Sequence, residues 1–306
     1  MKILITGGTG YFGKSILSYL LKNKLDIEEI FILSRNPKII ANSFDCTDFP
    51  FKISYVAHDI QKPLTFDQYV DFVIHAATTV GLEDPVITKR VIIDGTENIL
   101  NYCINKKIKR LLYISSGAVY GKQPINLKKI NENYTGNSTN RTVYGNSKYE
   151  AENLCKLYAD NYNLDFVIAR GFAFVGPYLP INSHFAIGNF INDGLNGRDI
   201  IISGDGRTVR SYLFSDDLVN WLFAILHKGK SYEAYNVGSD KYMSLSELAE
   251  KVKSCFKNEI NIKILGDLID PVNVYVPDVS KIKNDLGVLE SVNIDEAITK
   301  TIKFHS

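Results

Sequence analysis

Tyr144 and Lys148 stand four residues apart in Tyr144-Gly145-Asn146-Ser147-Lys148, ahead of a run with Ala151, Leu154, Leu157 and Tyr158 at helical spacing. On a helix the pair shares one face, one turn apart. A free tyrosine has a pKa of about 10, too high for efficient proton exchange near neutrality. An ammonium one turn away favours the phenolate and lowers that value. Ser116 ends the apolar stretch Leu111-Leu112-Tyr113-Ile114 and offers a hydroxyl that can hold an oxygen passing between carbonyl and alcohol. These are the proton-handling parts of a hydride-transfer site, with Lys148 also able to donate to a nicotinamide ribose. The plainer alternative for Tyr-x-x-x-Lys is a half-buried helix start.

Hydride needs a carrier, and the first thirteen residues are built to hold one. Met1-Lys2-Ile3-Leu4-Ile5 is a short apolar run, broken by Thr6-Gly7-Gly8-Thr9-Gly10-Tyr11-Phe12-Gly13 and followed by Ser15-Ile16-Leu17-Ser18-Tyr19-Leu20-Leu21 with helical spacing. Strand, glycine turn and helix is the order a dinucleotide site requires. Gly7 allows the sharp turn, Gly10 a close approach to pyrophosphate, and Gly13 close packing of helix on strand, while the helix N-terminal amides face the phosphates. Tyr11 and Phe12 lie within this cofactor-binding turn.

The elements that position these residues follow in sequence. Ile30-Phe31-Ile32-Leu33 reads as a strand buried on both faces, ending in Ser34-Arg35-Asn36-Pro37. An acidic residue at this point would accept the ribose hydroxyls of NAD. Here Ser34 and Arg35 stand instead, and an arginine can bind a 2′-phosphate bidentately. NADP(H) is therefore favoured, with NAD(H) possible and a solvated arginine the plainer reading. Ile53 to Ala57 is a third strand, followed by His58-Asp59-Ile60. Asp59 can accept from the adenine amine, or serve a turn before Pro63. Phe72-Val73-Ile74-His75 runs into the small residues Ala76, Ala77 and Thr78, which leave room for a cofactor. A helix through Ile92 to Leu100, the strand ending at Ser116, the Tyr144 helix and the strand Phe166 to Ala169 continue the alternation. Such alternation predicts an α/β fold with a doubly wound parallel sheet. Lys122 to Thr142 is polar and aperiodic, as a loop over a cleft would be.

Beyond Gly176 the alternation weakens, so residues 1–175 read as a dinucleotide-binding domain. Residues 176–306 read mainly as a smaller substrate-binding subdomain interleaved with the sheet. With 35 Lys and Arg against 34 Asp and Glu, charge argues for neither nucleic acid nor membrane as partner. No apolar run approaches a membrane span, and the N-terminal run reads as a core strand and not as a signal peptide. Cys46, Cys103, Cys155 and Cys255 lie far apart without metal-ligand spacing. They read as free thiols of a cytoplasmic protein, with no metal expected. Asn133-Tyr134-Thr135 and Asn137-Ser138-Thr139 then read as polar loop residues rather than glycosylation acceptors.

Glycine turn, serine strand end and Tyr-x-x-x-Lys, in this order, resemble the extended short-chain dehydrogenase/reductases, specifically the nucleotide-sugar epimerase/dehydratase group. The likeness extends through His75-Ala76-Ala77, Gly95-Thr96-Glu97-Asn98, Ser115 to Gly121, Gly176-Pro177, Arg210 to Asp217 and Asn236-Val237-Gly238. It implies a Rossmann fold, catalytic roles for Ser116, Tyr144 and Lys148, and contact of Ser116 and Tyr144 with substrate. It places Arg210 on the sugar-nucleotide diphosphate, and implies a homodimer through helices around Ile92 to Cys103 and Ala151 to Tyr158. His184 is a candidate for the sugar pocket, with a surface loop as the alternative.

Departures from the group narrow the reaction. Its 4,6-dehydratases carry Asp-Glu after the catalytic hydroxyl, where this chain has Gly117 and Ala118, so water elimination is not expected. Ala173 and Ile92 replace asparagines usual in the group. What remains is an NADP(H)-dependent reduction of the C4 keto group of a nucleotide-linked 4-keto-6-deoxy sugar, of the kind that feeds surface-polysaccharide biosynthesis. The alternative is an NAD-dependent nucleotide-sugar 4-epimerase. A non-catalytic cofactor-sensing regulator is a third reading, disfavoured by the retained Tyr144, Lys148 and Ser116.

Overall fold

The computed structural model describes residues 1–78, 84–183, 185–268 and 270–306. In chain order these form β1 (Lys2–Thr6), α1 (Tyr11–Lys22), β2 (Glu29–Ser34), β3 (Lys52–Ala57), β4 (Phe72–His75), α2 (Pro85–Lys106), β5 (Arg110–Ser116), α3 (Val143–Tyr162) and β6 (Phe166–Gly171). There follow β7 (Phe174–Val175), α4 (Ala186–Leu195), β8 (Ile200–Ile202), β9 (Val209–Ser211), β10 (Leu213–Phe214), α5 (Ser215–Lys228) and β11 (Ala234–Val237). The chain closes with β12 (Tyr242–Ser244), α6 (Leu245–Lys253), β13 (Ile262–Ile264), β14 (Val274–Tyr275), α7 (Ser280–Leu286) and α8 (Ile294–His305).

Contacts divide the chain into two compact units. The first holds residues 1–121, 138–171 and 219–235, and the second 122–137, 172–218 and 236–306. A single cut after residue 175 does not follow this division, because the polar 122–137 segment belongs to the second unit and 219–235 returns to the first.

The principal sheet has seven strands in the order β11-β6-β5-β4-β1-β2-β3. Its pairings from β3 through β6 are all parallel. Strand composition explains the burial: Ile3, Leu4 and Ile5 have no exposed surface, as expected of a parallel strand covered on both faces. Helix α1 buries Ile16, Leu17 and Leu20, while α2 and α3 pack Ile99, Leu100, Cys103, Ala151 and Cys155 into one core with Leu111 and Phe166. Full burial of each such aliphatic side chain contributes about 1.5–3 kcal/mol. Helix α3 starts where Thr142 Oγ1 accepts the Gly145 amide at 3.1 Å, and stops at Asn163, left-handed with φ 55°.

In the second unit β9 runs between β12 and β14, and β13 pairs in parallel with β8. Its 122–137 segment is tied down rather than loose. Ile130 bridges Pro277, and Gln123 Oε1 accepts the Val276 amide at 3.0 Å. Asp217 accepts the amides of Ser291 and Val292 at 3.0 and 3.1 Å. That is an anchoring role. No helix among the described residues is long and apolar enough to cross a membrane.

Candidate active site

Chain order along the sheet reverses on either side of β1, whose neighbours are β2 and β4. Open α/β sheets bind ligands beyond the strand C-termini at such a switch point. The glycine turn lies there. Gly7 has φ +66°, and a Cβ on it would sit 2.8 Å from Ala77 Cα. The Gly10 amide donates to Gly7 O at 2.9 Å and closes the turn. Gly10 caps α1 without any side-chain hydrogen bond, leaving the first amides of the helix directed at the turn. A Cβ on Gly13 would meet Gly8 O at 2.0 Å, so helix and turn approach to backbone contact. Tyr11 and Phe12 flank the turn with rings edge to face, 5.6 Å between centroids.

These residues fit a dinucleotide on grounds internal to the structure. Besides the uncapped helix start and the glycine cradle, Ser34 Oγ is buried at the end of β2 without a hydrogen-bond partner, and Arg35 beside it is exposed. A buried hydroxyl without a partner at the end of this strand suits a hydrogen bond to a bound group. Asp59 Oδ1 accepts the Gln61 amide at 3.1 Å within its own turn. Ile60 packs into the core against Gly95, whose Cβ would lie 2.6 Å from the Ile60 side chain, and Ile60 O accepts from Asn98 Nδ2 at 2.8 Å.

Behind Ala76 and Ala77 runs a buried relay that pattern reading did not single out. Thr96 Oγ1 donates to Ile92 O at 2.6 Å, so it can only accept from His75 Nε2–H, at 3.2 Å. His75 Nδ1 then accepts from Thr6 Oγ1 at 2.6 Å, and Thr6 Oγ1 accepts the Ala77 amide at 3.2 Å. Burial first, and the charge of Lys148 second, push His75 down to about 3. It is a neutral imidazole that fixes the Ala77 backbone.

Beyond β5 the second cluster forms. Ser116 Oγ accepts the Ala118 amide at 3.2 Å and starts a short 3-10 turn, Gly117–Tyr120. Gly145 permits α3 to reach this turn, since a Cβ there would lie 2.4 Å from Ala118 O. Tyr144 and Lys148 share a face of α3, with Lys148 Nζ 6.0 Å from the Tyr144 ring centroid and 5.0 Å from that of Tyr113. Lys148 Nζ donates to Ile114 O at 2.9 Å, and burial lowers its pKa to about 8 against the opposing pull of Glu152. The structure thus brings Ser116, Tyr144 and Lys148 together.

Tyr144 departs from the simplest expectation. Its pKa is raised, not lowered, because burial outweighs the Ser116 and Thr78 hydroxyls that turn towards its oxygen. Lys148 does not acidify it in this state: the ammonium is spent on the Ile114 carbonyl and is itself desolvated. Gly117 and Ala118 place no carboxylate beside Ser116. Among the described residues no His, Cys, Asp and Glu cluster could hold a metal ion.

In the second unit Arg210 lies on β9. Its Nη1 donates to Val209 O at 2.8 Å and Asn273 Oδ1 at 3.3 Å, with the Tyr275 ring 5.7 Å away. Burial lowers its pKa, a sign that these carbonyl contacts leave its charge incompletely compensated. Ala173 contributes only a backbone acceptor, to Leu213 N at 3.1 Å. His184 lies outside the described residues.

Comparison with known proteins agrees with this geometry. The model of the NAD dependent epimerase/dehydratase family matches residues 3–238. UDP-glucuronic acid decarboxylase 6 of Arabidopsis thaliana is 28% identical over 97% of this chain and 87% of its own length. The dTDP-D-glucose 4,6-dehydratase of Dictyostelium discoideum is 30% identical over 82% of this chain and 61% of its own. The fold of UDP-glucuronic acid 4-epimerase from Bacillus cereus, solved in complex with NAD, superposes with a TM-score of 0.83 at 22% identity, covering 99% and 96% of the two chains. A matched family model spanning most of the chain carries what the glycine turn and Tyr144–Lys148 face suggest: the protein is an enzyme of the NAD dependent epimerase/dehydratase family, within the extended short-chain dehydrogenase/reductases.

Proposed function

We propose that this enzyme reduces the C4 keto group of a nucleotide-linked 4-keto-6-deoxy sugar, with NADP(H) preferred over NAD(H). The observation that carries the cofactor half is the pair at the end of β2: a buried, unpartnered Ser34 hydroxyl followed by an exposed Arg35. No carboxylate repels a 2′-phosphate there, and the guanidinium is free to bind it. The dihydronicotinamide, when bound, supplies hydride. The chain's own residues do the rest: Ser116 holds the C4 oxygen, Tyr144 delivers its proton, and Lys148 orients the ribose. A phenol kept protonated by burial is in the state a proton donor needs. Arg210, charged and short of an anionic contact, suits the substrate diphosphate. A homodimer through α2 and α3 is in keeping with their exposed Val86, Ile87, Leu157 and Tyr162.

Gly117 and Ala118 support the reaction class, since neither can remove a proton or activate a leaving hydroxyl. Given NADPH and a nucleotide-linked 4-keto-6-deoxyhexose, the protein should consume the cofactor stoichiometrically and yield the 4-hydroxy product. Given an unmodified nucleotide hexose, it should form no 4-keto-6-deoxy product, and a nucleotide-linked hexuronic acid should release no carbon dioxide. Chromatography with mass detection separates these outcomes. A product changed only in C4 configuration, formed without net NADPH consumption, would establish the 4-epimerase instead.

Cofactor choice has its own test. Ser34→Asp with Arg35→Ala should weaken NADPH binding and strengthen NADH binding. A charge-assisted phosphate contact contributes roughly 1.5–3 kcal/mol, hence a loss of about tenfold or more. Fluorescence titration of both cofactors reads it, and equal affinities in the unmodified protein would sink the preference.

A further inference from the structure

One carboxylate of the first unit is buried beside the catalytic face and used by none of the steps above. Glu152 follows Lys148 by four residues on α3, so Tyr144, Lys148 and Glu152 succeed one another along a single face. It is 1% exposed. Ser115 Oγ donates to its Oε1 at 2.6 Å, and Arg170 of β6 clamps it with Nε to Oε1 at 3.0 Å and Nη2 to Oε2 at 2.7 Å. Arg170 also donates Nη1 to Tyr120 Oη at 2.9 Å, at the end of the turn that Ser116 begins. One carboxylate therefore gathers the strand position before Ser116, the turn after it, and the helix carrying Tyr144 and Lys148.

We propose that Glu152 is a positioning residue for the Tyr144–Lys148 pair: locked by Ser115 and Arg170, its carboxylate keeps the buried Lys148 ammonium charged and holds Ser116 in register with α3. The inference rests on the reading of Lys148 as part of the reaction machinery.

The surroundings of Lys148 leave this task to Glu152. From β5 come the Tyr113 ring and the Ile114 carbonyl, and from β4 the neutral His75. From α3 come Tyr144 and Cys155, both pushed up by burial and so uncharged near neutrality. Arg170 from β6 is cationic, held above its ordinary value because Glu152 and Tyr120 outweigh the cost of burial. Glu152 is the one anion in this set. Opposite charge at such range typically moves a pKa by about one to three units towards the charged form. Its removal leaves desolvation, which already brings Lys148 down to about 8, without its main opponent.

The test reads Lys148 directly in the cofactor-free protein, by titrating the ¹³Cε resonance of labelled lysine, assigned with Lys148→Met. In Glu152→Gln the Lys148 midpoint should fall by about one unit or more. In Glu152→Asp, which keeps the charge and loses a methylene, it should stay near its original position. The alkaline limb of kcat/KM should shift downward with the midpoint, because turnover needs protonated Lys148, so activity above that pH drops about tenfold per unit. Should Glu152→Gln fail to fold with Arg170 left unpaired, Glu152→Gln with Arg170→Gln removes both buried charges and should show a smaller shift of the same sign. An unmoved Lys148 midpoint in the folded variants, or equal shifts for Gln and Asp, would overturn the proposal. Undiminished turnover in Lys148→Met would instead refute the reading of the site, whatever the titration showed.

Discussion

Tyr144→Phe should lower turnover by about 10²–10⁴-fold, the usual effect of removing a general acid. The substitution takes away one oxygen and leaves the ring against Lys148, so folding and cofactor affinity should stay close to those of the unmodified protein. The structure adds a pH signature. Burial holds the Tyr144 phenol above its ordinary value, so in the reductive direction it stays protonated through neutrality. The acid-base dependence contributed by Tyr144 should therefore appear only on the alkaline side and vanish in Tyr144→Phe. Single-turnover kinetics with preformed cofactor complex would measure the chemical step. Near-normal turnover in that variant would mean that another group supplies the proton.

Legibility of the fold followed from locality. The turn from Gly7 to Gly13 and the Tyr144–Lys148 spacing are read from residues within one or two helical turns, and the structure keeps the first at the start of α1 and the second in α3. Alternating apolar runs likewise revealed the parallel sheet, because strands such as Ile3–Ile5 are buried on both faces and carry no polar interruption. What remained hidden is held together across long separations. Thr6, His75 and Thr96 form one hydrogen-bonded line only after β1, β4 and α2 have packed. Glu152 and Arg170 lie 18 residues apart, and only β6 beside β5 brings them into a bidentate pair. A signal was present in the Tyr144, Lys148, Glu152 spacing, but charge at the third helical turn is ordinary on an exposed face. Burial is what gives it meaning, and burial is tertiary. The same reason explains why the Tyr144 pKa is raised: the lysine one turn away is visible in the sequence, whereas the burial of the phenol is not. Division into units was also non-local, since the 122–137 segment joins the later part of the chain by pairing Ile130 with Pro277.

Gly13→Ala should disable cofactor binding with an addition of one carbon. The new Cβ would lie 2.0 Å from Gly8 O and 2.4 Å from Gly8 C and Cα, all backbone atoms. No rotamer can relieve such a contact, so either α1 or the turn must move by about an ångström. The turn has little freedom: Gly7 is confined at φ +66° against Ala77, and Gly10 N is bonded to Gly7 O at 2.9 Å. Ala77 is fixed in its turn by Thr6, which His75 holds. Helix α1 must therefore retreat, carrying away the amides that face the phosphates. A misplacement of this size can cost about 10²-fold in binding or rate, and overpacking adds a stability loss of about 1–3 kcal/mol. Gly204→Ala is the matched control, because a Cβ there meets nothing within 4 Å. Fluorescence titration with NADPH and thermal unfolding of both variants would measure the two effects separately. Affinity of Gly13→Ala within twofold of the control would mean that the helix start does not hold the pyrophosphate, and that the contact is relieved without moving α1.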